Sequence, residues 1–131
     1  VGYLADMERR LTLPGLSAYE RLMDYWQGWQ DRCVPDGQGD ECLVVKLSAE
    51  VSDLSETMRL TLRDGTERVV SRITVCIEQG QADKCLPVGD ARALAETLYQ
   101  LWLGASLLNK LQRTGQSLGR AMETTKRLLS V

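Results

Sequence analysis

Residues 91–113 read "ARALAETLYQLWLGASLLNKLQR", and this stretch decides the fold class. At about 100° per residue, Leu94, Leu98, Leu101, Ala105 and Leu108 share one face of a helix, Leu103, Leu107 and Leu111 a second, and Tyr99, Trp102 and Ser106 a third. A helix that is apolar nearly all round has to be surrounded. A chain of 131 residues is hard pressed to wrap it with its own side chains, so part of it is expected to pack on a second copy. Gly104, Ala105 and Ser106 allow the close approach this needs. The expected homodimer interface has four helices, two per copy, with Leu101, Ala105 and Leu108 from this helix and Leu118, Met122, Thr125 and Leu129 from the last. The plainer arrangement places the same helix at the centre of a monomeric bundle.

Working outward, the chain reads as helices joined by short punctuated turns. Val1 to about Leu13 is amphipathic, opens without a cap and is stopped by Pro14-Gly15; it reads as the tail of a longer helix. Ser17 to about Cys33 places Tyr19, Leu22, Met23 and Trp26 at helical spacing, and the loop "VPDGQGDE" follows. A third helix is expected from Cys42 to about Asp53. Ser55 can cap a fourth, whose stripe of Met58, Leu62, Val69, Ile73, Cys76 and Ile77 runs to Gly80. Asp90 can cap the helix from Ala91 to about Arg113, and a last helix runs from about Gln116 to Leu129. The expectation is one all-α domain over residues 1–131, a bundle of about six helices.

Composition narrows the function. The formal charge is -2, from 16 basic and 18 acidic residues, mixed along the chain, so there is no basic footprint for a phosphate backbone. Histidine is absent, which removes Ser-His-Asp and Cys-His catalysis and any His-containing zinc site. The four cysteines, Cys33, Cys42, Cys76 and Cys85, form no CxxC and are spaced too widely to suggest a disulfide framework or a metal site. No metal or cofactor is expected, and no enzymatic activity. With no span-length apolar run and no signal-peptide pattern, the chain reads as soluble and cytoplasmic.

Two stretches, "CLVVKLSAEVSDLSETMR" from Cys42 to Arg59 and "LYQLWLGASLLNKLQR" from Leu98 to Arg113, carry a resemblance. With the helical pattern from Ala18 onward, the chain resembles the C-terminal, effector-binding and dimerisation domain of TetR-family transcriptional repressors, in particular the subgroup that represses N-ethylmaleimide reductase. Glu41 stands where the family usually has glycine. The resemblance implies an all-α dimer that controls the separation of two DNA-reading heads, so that a small tilt spoils the fit to half-sites about 34–36 Å apart. The helix-turn-helix head that would hold operator DNA is missing from this chain.

Cys42 is the main candidate for a sensor. It lies in the first turn of its expected helix, where unpaired N–H groups and the helix dipole stabilise a thiolate. Asp40 and Glu41 oppose this, so a nearby cation is wanted. Lys46 can supply it, although a surface pair with Glu50 is its plainer role. Lys110 falls on the face of Tyr99, Trp102 and Ser106, among leucines that would desolvate it and lower its pKa. The resemblance to the electrophile-sensing subgroup places a lysine there, near the helix of Cys42. It would activate the thiol or trap the oxidised sulfur as a reversible S–N link; the plainer reading is a lysine whose stem covers apolar surface.

Cys33 and Cys85, at element ends beside polar loops, are secondary thiols, whereas Cys76 reads as a core residue. Trp26, Tyr99, Trp102 and Ser106 could line a pocket for an aromatic effector, or simply fill the core. Three functional readings stay open, of which an unrelated helical enzyme or scaffold is disfavoured by the lack of histidine and of any phosphate-binding or metal-ligand pattern; two share the family fold. In one, a reactive thiol senses electrophiles or oxidants and releases DNA; in the other, the same fold binds a small apolar effector without a covalent bond.

Overall fold

The computed structural model describes residues 2–33 and 55–131. Over these residues the chain forms five helices: α1 (Gly2–Leu11), α2 (Ala18–Arg32), α3 (Glu56–Ala82), α4 (Ala91–Gln112) and α5 (Gln116–Leu128). The fold is all-α, and each of these helices matches one expected from the sequence. The helix expected from Cys42 to Asp53 lies outside the described residues.

Local chemistry sets the helix ends. Ser17 and Glu20 form a reciprocal capping box, with Ser17 Oγ accepting from Glu20 N at 3.1 Å and Glu20 Oε1 accepting from Ser17 N at 2.9 Å; such a cap contributes about 1 kcal/mol. Ser55 caps α3 through Met58 N and Asp90 caps α4 through Ala93 N. At the C-terminal end of α3, Cys85 N donates to Gly80 O at 2.9 Å while Lys84 takes φ 63°. That is the left-handed closure that satisfies the last carbonyls of a helix, here without glycine.

α4 packs on α3 and α5; α2 packs on α1, α3 and α5; α1 also touches α3. The shared core is built from Leu22, Tyr25 and Trp26 of α2, Ile73 and Ile77 of α3, Leu98 and Trp102 of α4, and Leu129 just beyond α5. Two glycines permit close approach. A Cβ on Gly80 would collide with Leu86 and lie 3.0 Å from Ala18 Cβ, and one on Gly28 would lie 2.7 Å from Arg10 Nη1. Over Gly28 the Arg10 guanidinium binds Asp24 Oδ2 at 3.1 Å and Asp6 Oδ2 at 3.1 Å, clamping α1 to α2.

The faces of α4 differ from the expectation. Leu98 and Ala105 share one buried face with Tyr99, Trp102, Ser106 and Asn109, because α2, α3 and α5 together cover a wide arc of the helix. The opposite side carries Leu108 and Leu111, 45% and 74% exposed, with Gly104 in open space. The residues assigned to a partner copy divide accordingly. Leu118, Met122, Thr125 and Leu129, together with Ala105, are buried in the chain's own core. Leu108 is exposed and Leu101 half-buried, so the outer apolar stripe is Leu101, Gly104, Leu108 and Leu111.

Candidate functional site

The buried polar groups concentrate where α2 ends against α4. Trp29 Nε1 donates to Ser106 Oγ at 2.7 Å, and the Cys33 sulfur lies 3.6 Å from the same hydroxyl. One turn further along α4, Asn109 Nδ2 donates to the Cys33 carbonyl at 3.1 Å, and Asn109 Oδ1 accepts from Gly115 N at 3.1 Å. Ser106 and Asn109 are 2% and 6% exposed, so these bonds stand in for lost water and fix the C-terminal end of α2 to the turn between α4 and α5.

A layer of aromatic rings lies beneath them. Trp26 stacks on Trp102 with centroids 5.2 Å apart and planes at 10°, and Trp29 meets Tyr99 edge-on at 5.9 Å. Trp102 Nε1 donates to Thr125 Oγ1 at 2.9 Å, and Thr125 Oγ1 donates in turn to the Ala121 carbonyl at 2.7 Å. The residues proposed to line an effector pocket are therefore largely core. Trp26 and Trp102 are fully buried against each other, and Ser106 is taken up by Trp29. Of the four, Tyr99 also borders an open cleft of about 290 Å³ between α3 and α4, where Arg92 bridges Glu67 at 2.6 Å and Glu96 at 3.0 Å. The Arg92 hydrogen bond first, and then that from Ser71, hold the Glu67 carboxyl below its usual range.

The thiols fall into different settings. Cys76 is buried, with its sulfur 3.8 Å from the Ala18 carbonyl. Burial pushes this thiol up, and the neighbouring Arg21 guanidinium partly offsets that effect. Cys33 and Cys85 are half-buried, and no disulfide joins Cys33, Cys76 and Cys85 to one another. Cys42 and Lys46 lie outside the described residues. Lys110 is exposed in the last turn of α4, where a cation is favoured by the helix dipole. The buried stripe continues through Asn109, and Lys110 follows it at an exposed position. Asn109 is the residue that sequence reasoning missed. The signal was present in the spacing of Tyr99, Trp102, Ser106 and Asn109, which continues one buried stripe to the last turn.

Among the described residues no group of three or more His, Cys, Asp or Glu side chains could hold a metal ion, and no helix is long and apolar enough to cross a membrane.

Comparison with known proteins places this arrangement in a family. The chain is 36% identical over 112 residues to the HTH-type transcriptional repressor NemR of Escherichia coli K12, a match covering 85% of this chain and 56% of that protein. It thus spans about half the length of its curated relative. The same figures hold for NemR of Escherichia coli O6:H1. The crystal structure of reduced E. coli NemR superposes with a TM-score of 0.87 at 32% identity, over 99% of this chain and 67% of that one. A transcriptional regulator of the TetR/AcrR family superposes at 0.83 with 36% identity, over 98% and 68%. The description "Tetracyclin repressor-like, C-terminal domain" matches residues 15–125, and the chain belongs to this family of TetR-like C-terminal domains.

Proposed function

We propose that this chain is the regulatory part of a transcriptional repressor that senses electrophiles or oxidants through Cys42 and then releases operator DNA. The carrying observation is the 36% identity with the repressor NemR over 85% of the chain. In this reading two copies associate through the outer stripe of Leu101, Gly104, Leu108 and Leu111, and DNA is held by a separate helix-turn-helix part of the intact protein.

The chemistry is simple addition. The Cys42 thiolate attacks an activated alkene, an S–C bond forms as the alkene π bond breaks, and the carbon takes a proton from water. With a hydroperoxide, the thiol becomes a sulfenic acid and an alcohol leaves. The Lys110 nitrogen can then attack that sulfur, forming an S–N bond as water leaves and the nitrogen's excess proton passes to solvent. Support for Lys110 comes from its neighbour: Asn109 holds the Cys33 carbonyl, so the segment leading to Cys42 starts beside the last turn of α4.

A full switch from 1:99 to 99:1 needs about 5.5 kcal/mol of differential interaction, which covalent modification supplies readily. The non-covalent reading has less support, because Trp26 and Trp102 fill the space it required. The test is operator binding by the intact protein before and after N-ethylmaleimide. The proposal expects release in the wild type and retention in Cys42→Ser; release of both alike would overturn it. A Lys110→Met variant that responds normally to a hydroperoxide would remove Lys110 from the mechanism.

A further inference from the structure

Asn109 uses both ends of its side chain to join elements that are distant in sequence. Its amide donates to the carbonyl of Cys33, the C-cap of α2, 76 positions away, and its oxygen accepts from Gly115, the N-cap of α5. Its own backbone carbonyl takes the N–H of Arg113 at 2.7 Å. Arg113 and Gly115 both adopt left-handed backbone, with φ of 55° and 73°, so this turn is held in a conformation that costs energy at Arg113.

The neighbouring contacts run the same way. Ser106 accepts from Trp29 and faces the Cys33 sulfur, and Ser117 Oγ donates to the Ala105 carbonyl at 2.9 Å, tying α5 back onto α4. Of these contacts, Asn109 joins the end of α2 directly to the turn that sets α5 against α4. Leu108 and Leu111 flank Asn109 in sequence and face outward, so the same turn of α4 carries the bond inside and the apolar stripe outside.

We infer that Asn109 is a positioning residue that couples the C-terminal end of α2 to the α4–α5 turn, so that modification of the Cys33 thiol at that end loosens the turn beneath the outer face of α4. The inference rests on the proposed thiol-sensing function for its biological purpose, although the coupling can be measured without it.

The experiment uses the intact protein treated with N-ethylmaleimide under native conditions, with hydrogen exchange read at the Gly115 amide and operator binding read on the same samples. In the wild type, alkylation should raise Gly115 exchange at least about tenfold, within the usual range of coupling between sites. Asn109→Asp at pH 8 keeps an acceptor for Gly115 but has no donor for Cys33, so Gly115 should stay protected and its response to alkylation should vanish. Asn109→Ala gives a second check, with Gly115 exchanging fast before and after treatment. No response in the wild type, or an equal one in Asn109→Asp, overturns the coupling. Operator release without a Gly115 response sinks the role of Asn109 alone; a Gly115 response without release sinks the repressor reading and leaves the coupling standing.

Discussion

Asn109 Nδ2 reaches the carbonyl of Cys33 at 3.1 Å, across 76 positions of sequence. Removing the side chain leaves that carbonyl and the Gly115 N–H without their partner in a mostly buried place. Asn109→Ala should therefore cost about 1–3 kcal/mol, read as a lower urea midpoint with an unchanged slope.

Trp102 and Thr125 form the second buried pair, with Trp102 Nε1 donating to the hydroxyl at 2.9 Å. Thr125→Val has nearly the same volume but no acceptor, and leaves the indole N–H unsatisfied in the core. A loss of about 1–3 kcal/mol is expected. Thr125→Ser keeps the acceptor and should lose less. Urea unfolding followed by tryptophan fluorescence distinguishes the two.

Two glycines in helices should respond in opposite directions. At Gly80 an added methyl collides with Leu86 and meets Ala18 at 3.0 Å, so Gly80→Ala should destabilise by about 1–3 kcal/mol through overpacking. At Gly104 nothing lies within 4 Å, and Gly104→Ala should gain up to about 1 kcal/mol of helix stability in the single chain. Thermal unfolding of the two variants at low concentration checks the sign of each.

The same contrast shows what could be read in the sequence. Helix ends are local events, and Pro14-Gly15, Ser55 and Asp90 announced them correctly because caps and breakers act within a few residues. Periodicity also found the apolar helix 91–113. It divided the buried side of that helix into two faces, because the width of a buried arc depends on how many neighbours cover it. The same pattern marks Leu118, Thr125 and Leu129 as a buried face without saying what covers it; within the single chain they lie in the core. Pairings such as Asn109 with Cys33, or Arg10 over Gly28, have no period and become visible only once the helices are packed.

Acid should loosen the hold of α1. Arg9 first, and then Arg10, hold the Asp6 carboxyl below its ordinary value against the opposing effect of burial. A carboxylate with a depressed folded pKa contributes stability above its unfolded pKa of about 3.9 and loses it as pH falls through the lower folded value. The thermal midpoint should therefore decline as pH drops below about 4, and Asp6→Asn should make that decline shallower. Because Asp6 is more than a third exposed, added salt should reduce the effect.

The most direct measurement is the alkylation rate of each cysteine by N-ethylmaleimide on the folded protein at several pH values, read by mass spectrometry. Cys76, buried and pushed up by its surroundings, should react slowest, with Cys33 and Cys85 intermediate. If Cys42 is the sensor, it reacts well ahead of all three and titrates below the free-thiol value of about 8.5. A Cys42 that reacts no faster than Cys33 and Cys85, or as slowly as Cys76, would contradict the thiol-sensing account.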